Sequence, residues 1–217
     1  MLFSGVIFDL DGTVLDDEGQ YEMAFKKVLK SLGVKPEPNF PHVPGIGVRE
    51  NWPRFLSHYK IRTKKSVDEL AGETQIAYFQ EFSEVELNPG FLELVQKVRN
   101  HGIKTALATS NSSMMLERIN FKFHLERYFD AMVTREEVYQ SKPFPEIFIK
   151  TSTKLNLPPS ECLVIEDAKA GVDAAHAAGM KVIGLARDKT HAKTLKGADK
   201  IIFSFIDLLK GSAFGVL

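Results

Sequence analysis

Two aspartates end the first apolar run of the chain. In VIFDLDGTVLDD, residues 6–17, Asp9 and Asp11 follow a segment with the composition of a strand buried on both faces. Residues two apart in a strand point the same way, about 6.6 Å apart along its axis, so we expect the two carboxyls to project together. Gly12 permits the turn that follows. A bare Asp-x-Asp also occurs in solvated turns, but the buried strand before it favours a functional pair.

A second acid pair, Glu166 and Asp167, ends another apolar run, CLVIED. The strands of a parallel sheet end at the same edge, and if these two strands are neighbours, up to four carboxylates meet there. Two unit charges about 4 Å apart repel by about 4 kcal/mol at an effective dielectric constant of 20. A divalent cation can offset this repulsion, and oxygen ligands suit Mg²⁺. The sequence therefore predicts a Mg²⁺ site at this edge.

Two polar segments add groups that bind anions. ATSNSS, residues 108–113, places the Ser110 hydroxyl and the following backbone amides near a predicted helix start. SKPFPEIF places Lys142 at the beginning of another helix. Alone, the first is typical of a helix cap and the second of a solvated lysine. Together with the acids at one sheet edge, they predict a phosphate site.

The segments that must position these residues alternate between strand and helix patterns. A helix is predicted within residues 88–102, with Leu92, Val95 and Val98 near one face. This alternation indicates an α/β fold: a Rossmann-like parallel sheet with helices on both faces. The predicted strands are GVIFD, IKTALAT, FDAMVT, CLVIED, KVIGLA and KIIFSF.

One region lacks strand patterns. Between Glu18 and Glu84 we predict three helices, at 18–32, about 48–60 and 66–84. We interpret residues 16–85 as an all-helical cap domain inserted into a core formed by residues 1–15 and 86–217. The cap would cover the carboxyl edge of the sheet, where α/β folds bind ligands. Its aromatic residues fall at helical spacings and are predicted to pack: Trp52, Phe55, Tyr78 and Phe79.

Composition narrows the classes of partner. The 28 basic and 28 acidic residues of this 217-residue chain balance, so no global field attracts nucleic acid or a membrane. A single cysteine fits a reducing compartment. Neither a signal peptide nor a run of roughly 18 apolar residues is recognised. We expect a soluble cytoplasmic protein, a monomer or small homo-oligomer.

The four motifs, in this order, resemble those of the haloacid dehalogenase superfamily, in the group whose helical cap follows the first motif. They are FDLDGT, ATSNSS, SKPFPEIF and VIEDAKAGVDAAHAAGM. The resemblance spans essentially the whole chain and is weakest in the cap. It implies a Rossmann-like core, a mobile cap and Mg²⁺-dependent phosphoryl transfer through an aspartyl-phosphate.

The resemblance also implies a role for each site residue. Asp9 would be the nucleophile, and Asp11 the general acid and then the general base. Mg²⁺ would bind Asp9, the main-chain carbonyl of Asp11 and Asp167, with Glu166 acting through water or orienting the other ligands. The non-bridging phosphate oxygens would be held by Ser110, the Asn111 amide and Lys142.

The presence of Asp11 narrows the reaction further. Related dehalogenases and phosphonate-cleaving enzymes lack an acid there, so Asp11 favours a phosphate ester. The similar enzymes are sugar-phosphate and phosphoglycolate-like phosphatases and β-phosphoglucomutase. The mutase pattern has a histidine where this chain has Tyr21, which favours a hydrolase acting on a small phosphorylated metabolite. GIGVREN nevertheless resembles the mutase cap, and Arg49 is either a ligand for a second anionic group or a surface charge.

A third reading is a catalytically silent binding or regulatory module. Such a module needs none of the catalytic side chains, and loss of Asp9, Asp11, Lys142 or Asp167 would have indicated it. All four are present. Since fold alone does not establish function, this reading ranks below the phosphatase and the mutase.

Overall fold

The computed structural model describes residues 3–210, and a six-stranded parallel sheet forms its centre. The sheet has the order β5-β4-β1-β6-β7-β8, and each predicted strand segment contains one of its strands. In chain order the strands are β1 (Gly5–Phe8), β2 (Leu15–Asp16), β3 (Glu86–Leu87), β4 (Lys104–Ala108), β5 (Ala131–Val133), β6 (Cys162–Glu166), β7 (Lys181–Leu185) and β8 (Lys200–Ile202).

Helices cover both faces of this sheet. The side chains of α4, α5 and α9 pack with one face, and those of α6 and α7 with the other. This arrangement confirms the predicted Rossmann-like α/β fold. The helices are α1 (Glu18–Ser31), α2 (Val48–His58), α3 (Val67–Gln80), α4 (Phe91–Asn100), α5 (Ser113–Phe123), α6 (Glu146–Lys154), α7 (Lys169–Ala177), α8 (Lys189–Thr194) and α9 (Phe205–Lys210).

Strand β1 lies between β4 and β6 and is buried on both faces. Val6 and Phe8 pack with the first group of helices, whereas Ile7 packs with the second. Both faces therefore need apolar side chains, which explains the uninterrupted run in the sequence. This central position brings the end of β1 beside the ends of both neighbouring strands.

The buried face of α4 differs from the predicted one. Phe91, Leu94, Val95 and Val98 are buried, whereas Leu92 is 39% exposed. The buried positions follow the i, i+3, i+4, i+7 spacing of one helix face. Leu92 lies outside that face, so its predicted place on one face with Val95 and Val98 is wrong.

Helices α1, α2 and α3 occupy the predicted cap segment, residues 16–85. Helix α3 packs against both α1 and α2. Trp52, Phe55 and Tyr78 are fully buried in their common core, and Phe79 is half-buried. The aromatic residues therefore pack as the helical spacing indicated.

A short antiparallel ribbon joins the entry and exit of the cap segment. Leu15 of β2 pairs with Leu87 of β3. No strand pattern in the sequence predicts this ribbon. The domain boundaries at residues 16 and 85 remain a prediction, and residues 1–2 and 211–217 of the proposed core lie outside the described residues.

Within residues 3–210, none of the helices combines the length and apolarity needed to cross a bilayer.

Candidate active site

The ends of β1 and β6 bring three carboxylates together. Phe8 is in register with Ile165, so Asp9 emerges beside Glu166 and Asp167. One carboxylate oxygen from each of these three residues lies within 4.8 Å of the others. All three side chains are buried. The sheet thus assembles the acid cluster expected from the two motifs.

Lys142 supplies the positive charge inside this cluster. Its Nζ lies 2.5 Å from Asp9 Oδ1 and 2.6 Å from Glu166 Oε1, and its side chain is fully buried. Burial raises the pKa of Asp9 well above its usual value, against the lowering effect of the Lys142 charge. Burial lowers the pKa of Lys142, but the two carboxylates outweigh this and raise it above its usual value. Lys142 therefore remains an ammonium at neutral pH.

Glu166 is held by hydrogen bonds at both carboxylate oxygens. Oε1 accepts from Lys142, and Oε2 accepts from the Ala168 amide at 2.7 Å. A Cβ at position 171 would lie 1.7 Å from Oε1, so only glycine fits there. These contacts suit the orienting role predicted for Glu166 better than direct ligation, and they explain the Gly in AKAG.

Asp167 contains a buried oxygen without a partner. Its Oδ2 accepts no hydrogen bond from residues 3–210, and Thr13 Oγ1 lies 3.4 Å from its Oδ1. Burial, followed by the charges of Glu18, Glu166 and Asp9, raises the pKa of Asp167 well above its usual value. An unpaired buried carboxylate oxygen beside other carboxylates is the environment that a hard cation relieves. The residues present therefore fit Mg²⁺.

Gly12 allows the first motif to approach this carboxylate. Its φ is +73°, and a Cβ there would lie 2.2 Å from Asp167 Oδ2. The glycine is thus required by conformation and by space. The carboxylate of Asp11, two residues from Asp9, is outside the group of three carboxylates. The binding of Mg²⁺ by the main-chain carbonyl of Asp11 stays a prediction.

Asp11 faces the cavity and is held by Asn111. The Asn111 Nδ2 donates to both carboxylate oxygens, at 3.0 and 2.9 Å. Burial and then the charge of Asp17 raise the pKa of Asp11 well above its usual value. A protonated carboxyl fixed in this way has the properties needed by a general acid.

Asp17 is a buried carboxylate that the motif analysis did not select. It accepts from the Gly12 amide at 2.9 Å and from the Tyr78 hydroxyl at 2.7 Å. Burial raises its pKa to about 7. The second acid in LDD was the signal available in the sequence, but its partner Tyr78 lies 61 residues away.

Tyr21 completes a chain of contacts from the cap to Asp11. Its hydroxyl donates to Asn111 Oδ1 at 3.1 Å, and its ring stacks on Tyr78 with centroids 4.2 Å apart. Since Asn111 in turn holds Asp11, helix α1 contacts the predicted general acid through one intervening side chain.

The two predicted phosphate-binding groups of ATSNSS already have protein partners. The Ser110 hydroxyl donates to the Gly45 carbonyl of the cap at 3.0 Å, and the backbone N–H of Asn111 donates to Thr109 Oγ1 at 3.0 Å. Both residues line the same cavity as Asp9 and Asp11. Their phosphate-binding role stays a prediction that requires these hydrogen bonds to exchange.

Arg49 does not join the other predicted site residues. Its Nε lies 2.6 Å from Asp68 Oδ1, and both side chains are mostly exposed. It lines a separate groove that shares Ser110 and Asn111 with the cavity. In this arrangement Arg49 is the surface charge that the sequence analysis offered as the alternative to a ligand.

The cavity lies between the acid cluster and the cap. It encloses about 410 Å³ not occupied by protein atoms, part of it open to solvent. Asp9, Asp11 and the 110–111 segment line the core side, and residues of α1, α2 and the 42–47 loop line the cap side.

Comparison with known proteins agrees with this architecture. A family model for haloacid dehalogenase-like hydrolases matches residues 6–185. The chain is 35% identical over 201 residues to a phosphorylated carbohydrates phosphatase of Thermotoga maritima, covering 90% of this chain and 91% of the relative. It is 31% identical over 186 residues to the fructose-1-phosphate phosphatase YqaB of Escherichia coli, covering 83% and 95%.

A solved structure shares the arrangement of both parts. The β-phosphoglucomutase of Clostridium difficile superimposes with a TM-score of 0.85 and 28% identity, covering 98% of this chain and 96% of that one. These matches span the cap as well as the sheet. The chain belongs to the haloacid dehalogenase-like hydrolase family.

Proposed function

We propose that this protein is a Mg²⁺-dependent phosphatase that hydrolyses a small phosphorylated metabolite through an aspartyl-phosphate on Asp9. The family and the phosphatases among its relatives make it a phosphoric monoester hydrolase. The observation that carries the mechanistic proposal is the contact between Asp9 and the buried Lys142, beneath a cavity that Asp11 also lines.

Asp9 is the proposed nucleophile. Lys142 donates to one of its oxygens, and its charge lowers the pKa of Asp9 against the larger raising effect of burial. The other carboxylate oxygen attacks phosphorus, forming the acyl phosphate while the bond from phosphorus to the ester oxygen breaks. Lys142 also offsets the negative charge that a phosphate brings to this carboxylate.

Asp11 is the proposed proton carrier. Its raised pKa allows it to give a proton to the departing ester oxygen, and the resulting carboxylate can then take a proton from the attacking water. The side-chain amide of Asn111 donates to both carboxylate oxygens of Asp11 and holds them in place for these two steps.

Asp9, Asp167 and the main-chain carbonyl of Asp11 are the proposed holders of Mg²⁺, with Glu166 orienting the group. When bound, the cation would offset the clustered negative charge and stabilise charge on the phosphoryl oxygens. The unpaired Oδ2 of buried Asp167 supports this assignment.

A β-phosphoglucomutase-type phosphomutase is the second candidate. The likeness to the C. difficile mutase and the cap that encloses the cavity favour it. Against it, Tyr21 occupies the position of the mutase histidine and donates its hydroxyl to Asn111. A tyrosine with its pKa raised by burial is a poor base for a sugar hydroxyl.

A screen of phosphorylated metabolites with Mg²⁺ tests both proposals, with β-glucose 1-phosphate included. Release of inorganic phosphate that stops on adding EDTA supports the phosphatase. Formation of glucose 6-phosphate without phosphate release would establish the mutase instead. Activity that survives EDTA would contradict the magnesium-dependent scheme.

A further inference from the structure

We propose that the cavity selects phosphate esters of uncharged polyols or sugars and discriminates against substrates with a second phosphate or a carboxylate. This inference rests on the proposed phosphatase function and narrows its substrate class. It favours sugar phosphates as substrates over phosphoglycolate-like compounds.

The charges of the cavity wall carry the argument. Within residues 3–210, no lysine or arginine side chain lines the cavity. Beyond Asp9 and Asp11 its titratable wall residues are Glu18, His42 and Tyr21. Burial lowers the pKa of His42 to about 4, so its ring is neutral at neutral pH. The space above the acid cluster therefore contains no cation for a second anionic group.

Arg187 is already paired with a carboxylate of the cavity wall. Arg187 Nη1 lies 3.6 Å from Glu18 Oε2, and Arg187 lines a different surface depression. Glu18 offers a hydrogen-bond partner to a hydroxyl whether protonated or ionised, and in its ionised form it repels an anion. A phosphate or carboxylate near Glu18 would compete with it for Arg187.

The remaining wall suits a polyol. The rings of Tyr21 and Phe25 provide apolar surface for carbon chains, and the His42 ring and Glu18 provide hydrogen-bonding groups. Asn51 fixes the loop that completes the wall, since its side chain bonds both Val43 N and Val43 O. The wall thus offers apolar surface and hydrogen-bonding groups that suit a small neutral leaving group.

The adjoining groove offers no better place for an anion. Its two guanidinium groups face three carboxylates. Arg49 pairs with Asp68, and Arg135 Nε lies 3.0 Å from Glu50 Oε1. Glu136 supplies the third negative charge. A substrate that extended into this groove would meet a net negative surface.

Matched substrate pairs test the proposal. Values of kcat/KM are measured for fructose 1-phosphate against fructose 1,6-bisphosphate, and for glycerol 3-phosphate against 3-phosphoglycerate. We expect the member with the neutral leaving group to be favoured at least tenfold in each pair. Equal or better use of the bisphosphate and the phosphorylated acid would overturn the inference while leaving the phosphatase proposal intact. Hydrolysis of no phosphate ester would instead refute the phosphatase proposal.

Two variants test whether the cavity wall causes the preference for neutral substrates. In Glu18→Gln a wall charge is lost and Arg187 is released, so we expect the preference for neutral substrates to fall at least threefold through faster use of the anionic members. Glu22→Gln, one turn further along α1 and paired with Lys26, is the matched control and should leave the ratio unchanged. A ratio that is the same in Glu18→Gln and the parent would contradict the role of Glu18.

Discussion

The core side of the cavity consists of buried charges, whereas the cap side consists mainly of aromatic rings and loop backbone. On the core side, Lys142 is shared by Asp9 and Glu166, and Asp167 lies beside them. On the cap side, the rings of Tyr21 and Tyr78 stack. Tyr21 donates its hydroxyl to Asn111 of the core, and Tyr78 donates its hydroxyl to Asp17 at the start of the cap segment. Ion pairs therefore hold the core side together, whereas ring stacking and hydroxyl hydrogen bonds hold the cap side together.

This difference indicates a division of tasks. Removing one partner of a buried ion pair typically costs 3–5 kcal/mol, because the other charge is left uncompensated. A lost tyrosine hydroxyl bond costs about 1–3 kcal/mol. The core can therefore hold its reactive groups in one arrangement, while the cap is joined to it by weaker bonds that can break when substrate enters. Substitutions on the core side should therefore change the rate of the chemical steps, and substitutions on the cap side should change the closure of the cap.

The largest expected effect is that of Asp9→Asn on the core side. An amide cannot form the acyl phosphate, so turnover should fall by more than about 10⁴-fold. The fold should persist, because Lys142 keeps Glu166 as a partner. Phosphatase assays, mass spectrometry of the trapped enzyme and circular dichroism measure the three outcomes.

Asp16→Asn is the matched control for this change. Asp16 is exposed in the ribbon that follows the same motif and does not line the cavity. Its variant should retain parental activity. If Asp9→Asn still formed a phosphoenzyme, the nucleophile would have to be another residue.

Mg²⁺ should stabilise the protein more at high pH than at low pH. Burial raises the pKa values of Asp9, Asp11 and Asp167, so without metal their contribution to stability is present below about pH 4 and is lost as pH rises toward the folded pKa values. Mg²⁺ binds the ionised carboxylates. At a concentration 100-fold above Kd it should add about 2.7 kcal/mol.

Thermal unfolding at pH 5.5 and 8, with and without Mg²⁺, measures this linkage. The shift in Tm should be greater at pH 8. Asp167→Asn keeps the shape of the side chain and should lose most of the shift, since it removes the carboxylate with the unpaired oxygen. An equal shift in the variant would place the cation elsewhere.

On the cap side, Tyr78→Phe should destabilise the protein without removing the reactive groups. The change leaves a buried oxygen of Asp17 without its hydroxyl donor, which costs about 1–3 kcal/mol. Tyr139→Phe is the control, because Tyr139 is 95% exposed and should change stability by less than about 0.5 kcal/mol. Urea unfolding of both variants gives the values, and equal stability would mean that Asp17 finds another donor.

The same contrast explains what could be predicted from the sequence. The core residues follow strands: Asp9 comes after β1, Glu166 ends β6 and Asp167 follows it. Parallel strands end at a common edge, so strand recognition places these residues at that edge. The pairing of β1 with β6 in the structure then brings them together. The apolar runs were long enough to identify every strand of the main sheet.

The cap contacts could not be predicted in this way. The bond from Tyr78 to Asp17 spans 61 residues and depends on how α3 packs against α1. Arg49 and Asp68 lie on different cap helices, and helical periodicity does not specify which exposed charges pair. The ribbon of β2 and β3 has two residues in each strand, too few for an alternation pattern.

The smallest expected effect tests Arg49, a predicted site residue that belongs neither to the cavity lining nor to the buried acid cluster. Arg49 forms an exposed pair with Asp68, and such pairs contribute about 0–1 kcal/mol. Arg49→Ala should therefore change kcat/KM for a neutral sugar phosphate by less than about threefold. Arg54→Ala, on the same helix and also exposed, is the control. A tenfold or larger rise in KM for Arg49→Ala alone would mean that cap movement brings Arg49 to the substrate, and that the weaker bonds of the cap side permit such movement.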